Sequence, residues 1–207
     1  MTTSKVFKNW LPGGVVQGVL KESGIFDDSP LYHLLIEKVG SLGGQAVRRL
    51  VLACADVKTG RYTTFDEKTD DLPRAAVSSA SIPAAFPNQQ WPDYGDGVIC
   101  MDGGTVWNIN VASAVQRCRE VVKDDRKIVI DIIMCDSLQT LDWKPTRSVV
   151  DTIQQYKKIH SYATSSNNLA EIMQAFPKVD WRYLVAPSED LPGSFIGFEN
   201  KTVTWPC

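Results

Sequence analysis

The residues best suited to chemistry form the sequence Asp102-Gly103-Gly104, which directly follows the apolar run GVICM at residues 97–101. In open α/β sheets, ligands bind beyond the carboxyl ends of strands, where a carboxylate can reach a pocket. The two glycines let the backbone turn sharply and let another segment approach closely. Asp102 is therefore a candidate catalytic residue, and an Asp that only supports a turn is the alternative.

A second candidate region is AVSSASIPAAFP at residues 76–87, because packed small residues before a proline can shape a pocket wall. The serines in it are Ser78, Ser79 and Ser81. None of them stands in the G-x-S-x-G elbow, which exposes a nucleophilic hydroxyl and supplies a neighbouring oxyanion-binding N–H. Ser41 and Ser194 also fail this pattern, since Val39 and Pro192 occupy the place of its first glycine. We therefore expect none of these serines to be the nucleophile.

Metal and histidine chemistry are disfavoured. Asp93, Asp96 and Asp102 lie close together in sequence, but the spacing lacks the alternating ligands and the closing Glu of a calcium loop. We expect solvated turn residues there and no metal or other cofactor. The two histidines, His33 and His160, are far apart and have no recognisable catalytic neighbour. Both are expected to be structural.

The five cysteines are odd in number and never follow C-x-x-C spacing: Cys54, Cys100, Cys118, Cys135 and Cys207. Most have apolar neighbours, which favours buried free thiols in a reducing compartment and argues against a zinc site. The free thiols favour a cytoplasmic location.

Charge and hydropathy restrict the partners. Lys and Arg number 22 against 24 Asp and Glu, so the formal net charge is −2, and no block of like charges occurs. Nucleic acid is therefore not expected as a partner. The longest apolar run, IVIDIIMC, is far shorter than the roughly 18–20 residues that span a bilayer, so no transmembrane segment is expected. The N-terminal residues contain no apolar h-region, so no signal peptide is visible.

The order of helical and extended patterns predicts an α/β fold with a partly parallel central sheet. Strands are expected at residues 49–57, 61–65, 97–101, 127–135 and 181–187. Helices are expected at residues 30–39, in a short piece within 73–87, from Val111 with Asn110 as cap, and at 147–175 with a break at 165–168. The strands at 49–57 and 127–135 are expected to be buried. The 207 residues, 43% of them hydrophobic, predict a single domain.

Four segments in register resemble the patatin-like phospholipase domain. They are WLPGGVVQGVLKESGIFDDSPL at 10–31, ACADVKTGRYTTF at 53–65, AVSSASIPAAFP at 76–87 and CMDGGTVWNINVASAV at 100–115. The resemblance covers residues 10–122, and its most specific part is S-x-x-x-P-x-x-F-P followed by D-G-G. Residues 123–207 would complete the domain.

This resemblance implies a lipid acyl hydrolase with a Ser-Asp dyad, in which Asp102 of the Asp102-Gly103-Gly104 motif is the base. Lipid or acyl-ester substrates and a peripheral membrane surface are the implied partners. Such a dyad needs no histidine and no metal. The residues expected to shape the pocket are Ser81, Pro83, Phe86, Pro87 and Asn108.

The chain departs from the family pattern in two ways. It lacks the Gly-rich oxyanion loop and the G-x-S-x-G elbow, which precede the matched segments in the family, and Asn110 stands where the family often has Pro. One hypothesis is that the chain is the C-terminal part of a patatin-like hydrolase, without the N-terminal strands. The other is a short, non-catalytic relative that binds lipid or a protein partner.

Overall fold

The computed structural model describes residues 3–41, 43, 46–135 and 148–188. The helices are α1 Gly14–Lys21, α2 Ser29–Ser41, α3 Leu72–Ser79, α4 Val111–Arg119 and α5 Val149–Ala175. The strands are β1 Val51–Asp56, β2 Tyr62–Asp66, β3 Gln89–Trp91, β4 Val98–Asp102, β5 Val129–Ile133 and β6 Asp180–Val185. The predicted α/β class is confirmed.

The described residues group into two compact units, one ending at Val106 and one beginning at Trp107. The first unit contains α1 to α3 and β1 to β4, and the second contains α4, α5, β5 and β6. The single domain expected from the length therefore stays a prediction. None of the described helices has both the length and the apolar character needed to cross a bilayer.

The first unit is built on a four-stranded sheet in the order β2-β1-β4-β3, and every pairing in it is antiparallel. The prediction of a partly parallel central sheet is wrong for this sheet, and parallel pairing occurs between β5 and β6. The reason is the short connection from β1 to β2. Gly60 adopts a φ of 68° and donates its N–H to the Asp56 carbonyl oxygen at 2.8 Å, which closes a hairpin.

Helix α3 packs one side against this sheet. Asp71 caps its start by accepting the Arg74 N–H at 3.0 Å, and Pro73 lies in the first turn, where it removes no helical hydrogen bond. The irregular segment that follows is held by the backbone of residues 25 and 26. Their N–H groups donate to the carbonyl oxygens of Ala84 and Ala85, both at 2.9 Å. The predicted short helix followed by a tightly packed loop is confirmed.

The cysteine prediction is wrong in three places. Cys54 and Cys100 form a disulfide, and Cys135 is exposed. Cys54 pairs with Asp102 in the β1–β4 register, so Cys100, two residues earlier, lies on the same face of the sheet with its Cα 5.4 Å from that of Cys54. Cys118 is free and partly buried, and Cys207 lies outside the described residues. The prediction of a cytoplasmic location depended on all cysteines being free thiols, and the disulfide removes this support.

The second unit has an aliphatic core. The buried residues in this core are Val111, Val115, Ile128, Ile130, Ile132, Met134, Leu169 and Val179. Strand β5 alternates exposed and buried residues, and Ile133 is 80% exposed. The prediction of a fully buried strand is therefore wrong for β5, because in the described residues only one of its faces packs against the core.

Helix α5 is continuous, so the predicted break at residues 165–168 is wrong. Ser and Asn have low helix propensity, but tertiary packing overrides that preference here. Ser165 is buried and accepts a hydrogen bond from Asn108 Nδ2 at 3.1 Å, and Leu169 joins the core. Helix α4 begins as predicted, with Asn110 Oδ1 accepting the Ser113 N–H.

Two elements are absent from the sequence predictions. Helix α1 directly follows Pro12 and Gly13, which indicate a turn before any helix, and β3 has only three residues. Helix α2 begins at Ser29 and extends to Ser41, slightly beyond the predicted bounds. The C-terminal loop or edge strand expected beyond residue 188 lies outside the described residues.

Candidate functional site

Asp102 lies at the end of β4, in the first unit. Its Cα is opposite that of Cys54 on β1, and its backbone N–H donates to the Ser81 carbonyl oxygen at 2.9 Å. The two sequence motifs singled out for chemistry, the Asp-Gly-Gly turn and the small-residue stretch, are therefore joined directly. The site is built from a strand end and from the loop that follows α3.

The Asp-Gly-Gly turn is stabilised by the aspartate itself. Asp102 Oδ1 accepts the Gly104 N–H at 2.7 Å, and residues Gly103–Thr105 form one 3₁₀ turn. A Cβ at position 103 would lie 2.5 Å from the Ala53 carbonyl oxygen, so only glycine lets the turn approach β1 this closely. Asp102 therefore supports the turn, as the alternative interpretation of this motif requires. Only Oδ1 takes part in this hydrogen bond, and Oδ2 does not.

The surroundings of Asp102 favour its protonated form more than water does. Burial raises the pKa of the carboxyl above its ordinary value, and the Gly104 N–H offsets part of this effect. The negative charge of ionised Asp102 also affects Tyr62 on β2. Burial and the negative charge of Asp102 together raise the pKa of the Tyr62 hydroxyl to about 12. A carboxylate with a raised pKa is a stronger proton acceptor than a solvated one.

The serines next to Asp102 are engaged internally. Ser81 is fully buried, and its hydroxyl donates to the Val77 carbonyl oxygen at 2.9 Å. Ser78 is also fully buried; its hydroxyl donates to the Arg74 carbonyl oxygen at 2.8 Å and accepts the Trp91 Nε1–H at 2.9 Å. These bonds hold the start of the loop onto α3 and make both hydroxyls poor nucleophiles.

The other serines weighed as nucleophiles lie elsewhere. Ser79 is partly buried at the end of α3. Ser41 is exposed and donates its hydroxyl to the Lys38 carbonyl oxygen at 2.7 Å. Ser194 lies outside the described residues. Among the described residues, the hydroxyls of Ser41, Ser78 and Ser81 donate to backbone carbonyl oxygens and not to the Asp102 carboxylate.

The residues predicted to shape a pocket are in different environments. Phe86 is buried in a small apolar cluster with Val6 and Ala85, whereas Pro83 is exposed and Pro87 is partly buried. Asn108 belongs to the second unit, where it is hydrogen-bonded to Ser165. Their role in a pocket stays a prediction.

Within the described part of the chain, no group of three or more His, Cys, Asp or Glu side chains is arranged to hold a metal ion. Asp93 and Asp96 are exposed in the loop between β3 and β4, as solvated turn residues would be. His33 and His160 are also exposed, on α2 and α5.

Asp28, a buried carboxyl, was not among the residues predicted from sequence. It is 7% exposed just before α2, and Gln89 Nε2 donates to its Oδ2 at 3.1 Å. Burial raises its pKa to about 6, and the charge of neighbouring Asp27 adds to this effect. In the sequence, Asp28 is visible only as part of the pair Asp27-Asp28 ahead of a helix start. Acidic residues are common at that position, and the sequence does not show that one of them is buried.

A scan against models of known protein families finds no match to this chain, and a search of curated proteins also finds none. The resemblance to the patatin-like domain therefore rests on the four sequence segments alone.

Proposed function

We propose that this chain supplies Asp102 as the proton acceptor of a Ser-Asp hydrolase that cleaves lipid acyl esters. One observation carries the proposal. A carboxyl with a raised pKa lies at the end of a strand, in a Gly-Gly turn, and is joined through its backbone to a small-residue segment. Carboxylates with pKa values raised by burial are frequent at catalytic sites, because they act as bases near neutral pH.

The proposed reaction is acyl transfer through serine. Asp102 takes the serine hydroxyl proton while the oxygen attacks the ester carbonyl carbon, and the resulting tetrahedral intermediate expels the alcohol, which receives that proton from Asp102. Water then attacks the acyl-serine, again giving its proton to Asp102, and the proton passes to the departing serine oxygen as the fatty acid leaves. No histidine takes part in these steps.

The nucleophile must come from outside these 207 residues, because they contain no G-x-S-x-G sequence. The proposal therefore assigns the chain a base without its serine. The internal hydrogen bonds of Ser78 and Ser81 support this assignment, since neither hydroxyl is available for attack.

The test compares the 207-residue chain with a longer form translated from the coding sequence directly upstream of Met1. The longer form should contain a G-x-S-x-G serine, react with a fluorophosphonate and hydrolyse p-nitrophenyl esters and phospholipids. Asp102→Asn in that form should lower kcat at least about a hundredfold, because the base is lost. Activity should also fall as the pH drops through the raised pKa of Asp102.

The matched control is Asp96→Asn, which removes an exposed carboxylate of the preceding loop and should leave kcat unchanged. The proposal fails if the upstream reading frame encodes no such serine, or if Asp102→Asn retains activity. Labelling of the 207-residue chain itself that disappears on heat denaturation would show a nucleophile within it, and would overturn the assignment of a separate serine.

A further inference from the structure

A junction between residues 23–28 and residues 84–89 lies within the first unit. Two backbone hydrogen bonds of 2.9 Å cross it, from the N–H groups of residues 25 and 26 to the carbonyl oxygens of residues 84 and 85. A Cβ on Gly24 would lie 2.2 Å from the Phe86 carbonyl carbon, so only glycine allows the two segments to approach this closely. Because residues 84–89 continue the small-residue loop, the junction connects α1 and α2 with the segment that contacts the Asp-Gly-Gly turn.

Asp28 is the buried titratable side chain of this junction. It is 7% exposed, and Gln89 Nε2 donates to its Oδ2 at 3.1 Å across the junction. The first N–H groups of α2 are bound elsewhere. That of Ser29 goes to Asp27 Oδ1 at 2.9 Å, and those of residues 31 and 32 go to the Asp28 carbonyl oxygen at 2.9 and 3.3 Å. The carboxylate of Asp28 therefore accepts from a neutral amide and not from the start of the helix.

The charged and titratable groups around Asp28 pair with one another. Those on the N-terminal segment, at the start of α2 and at the start of α3 are Lys5, Lys8, Asp27, Tyr32, His33, Asp71 and Arg74. Lys8 pairs with Asp27 at 3.3 Å, and the Tyr32 hydroxyl donates to Asp71 at 2.9 Å. Residues 81–91, on the other side of the junction, contain no ionisable side chain. Ionisation of Asp28 thus adds a second negative charge beside Asp27, whose cation is already paired.

These surroundings favour the protonated form of Asp28. Burial raises the pKa of Asp28 to about 6; its own backbone N–H lowers the pKa, the charge of Asp27 raises it, and the Gln89 hydrogen bond lowers it. Because the pKa is raised in the folded state, the stability contributed by the protonated carboxyl is fully present below about pH 4. It is lost as the pH rises through about 6.

We propose that Asp28 is a pH-sensitive latch, whose protonation tightens the junction between residues 23–28 and 84–89 and whose ionisation loosens it. An ionised carboxylate with one neutral donor gains hydration when the two segments separate, whereas a protonated one does not need it. The latch therefore controls how firmly α1 and α2 are held on the small-residue loop. It does not depend on the proposed function, because it involves neither Asp102 nor a serine.

Amide hydrogen exchange of the full 207-residue chain, followed by NMR and corrected for the intrinsic rate at each pH, tests the latch. The amides of residues 25 and 26 report on the junction. The Val57 N–H, which donates to the Ile99 carbonyl oxygen at 2.7 Å, reports on the sheet of the same unit. Raising the pH from about 5 to about 7 should increase opening at residues 25 and 26 about tenfold, because the pKa falls to about 4 when the carboxyl becomes hydrated. Opening at Val57 should change little.

Two variants sharpen the test. Asp28→Asn carries a neutral side chain of the same shape, so residues 25 and 26 should be as protected at neutral pH as they are at about pH 5. Gln89→Met removes a donor that lowers the pKa of Asp28, so the midpoint of the pH dependence should move upward. The matched control is Asp93→Asn, which removes an exposed carboxylate of the same unit and should respond to pH as the unchanged chain does.

The latch is refuted if opening at residues 25 and 26 does not change with pH, or if Asp28→Asn retains the change. An equal change at Val57 would also overturn it, because protonation would then stabilise the whole unit and not this junction. If Asp28→Asn does not fold, Gln89→Met decides, and an unshifted midpoint counts against the latch. Asp102→Asn should leave the response of residues 25 and 26 unaltered, which keeps this result separate from the test of the catalytic role.

Discussion

Two aspartates end neighbouring strands of the same sheet, and their surroundings have opposite effects on their acidity. Asp56 ends β1, accepts the Thr59 hydroxyl at 2.5 Å and accepts the backbone N–H groups of Lys58 and Ile99 at 3.3 and 3.2 Å. Asp102 ends β4 and, within the described part of the chain, its carboxylate accepts one hydrogen bond, from Gly104. The pKa of Asp56 is lowered, chiefly by the Thr59 hydrogen bond, whereas burial raises the pKa of Asp102.

The opposite pKa shifts show that an aspartate at the end of a strand can have different roles, depending on its surroundings. Three donors hold Asp56 as an anion and tie the β1–β2 turn to β4, so its carboxylate is structural. Burial, with Gly104 as the single donor among the described residues, raises the pKa of Asp102. The number of donors around each carboxylate thus separates a structural aspartate from a candidate base.

The largest expected effect concerns the disulfide that links the two sites. Cys54 is opposite Asp102 and Cys100 is opposite Asp56 in the β1–β4 register. The two cysteines are 46 residues apart, so replacing both by Ala should lower the free energy of unfolding by about 4 kcal/mol through loop-closure entropy. Urea unfolding under non-reducing conditions measures this difference.

The matched control for the disulfide is Cys135→Ala, which removes an exposed free thiol and should change the unfolding free energy little. Equal stability of Cys54→Ala/Cys100→Ala and Cys135→Ala would show that the two strand ends are not held together by a disulfide.

The next effect distinguishes the two aspartates by pH. Asp56→Asn should cost about 2 kcal/mol at neutral pH, because the hydrogen bonds lose their charge. Since the pKa of Asp56 is lowered on folding, its stabilisation is complete above about pH 4 and is lost as the pH falls through the folded-state pKa. The difference between Asp56→Asn and the unchanged chain should therefore shrink on acidification.

Asp102→Asn should behave in the opposite way. Its raised pKa means that ionisation destabilises the fold, and this cost develops as the pH rises from about 4 through the folded-state pKa. Asp102→Asn should consequently be neutral or stabilising at neutral pH. Unfolding free energies of both variants at several pH values provide the measurement, and parallel pH profiles would refute the comparison.

The smallest effect is on Tyr62. Its pKa of about 12 reflects burial and, secondarily, the charge of Asp102. Asp102→Asn should lower this pKa while leaving the burial contribution, and Asp56→Asn should not. Ultraviolet titration of tyrosine ionisation, with Tyr62→Phe to assign the signal, measures the shift. If the Tyr62 titration is unchanged in Asp102→Asn, the charge of Asp102 does not contribute to the raised pKa of Tyr62.

Local patterns predicted many of the elements. The apolar run at 49–57 contains β1, the run at 97–101 contains β4 except for its last residue, Asp102, and Asn110 caps α4 as expected, because apolar runs and capping depend on residues close together in sequence. The continuous α5 and the exposed face of β5 were not predictable in this way, since both depend on which face packs against a core.

The features of the candidate site also fall into those that depend on neighbouring residues and those that depend on distant segments. The sequence alone identified Asp102, its two glycines and the absence of a G-x-S-x-G serine, because these are properties of neighbouring residues. Only the tertiary structure brought Ser81 against Asp102, joined Cys54 to Cys100 and gave Asp56 a donor from Ile99, which is 43 residues away. Burial and donor number set the acidity of a carboxylate, and both depend on segments distant in sequence.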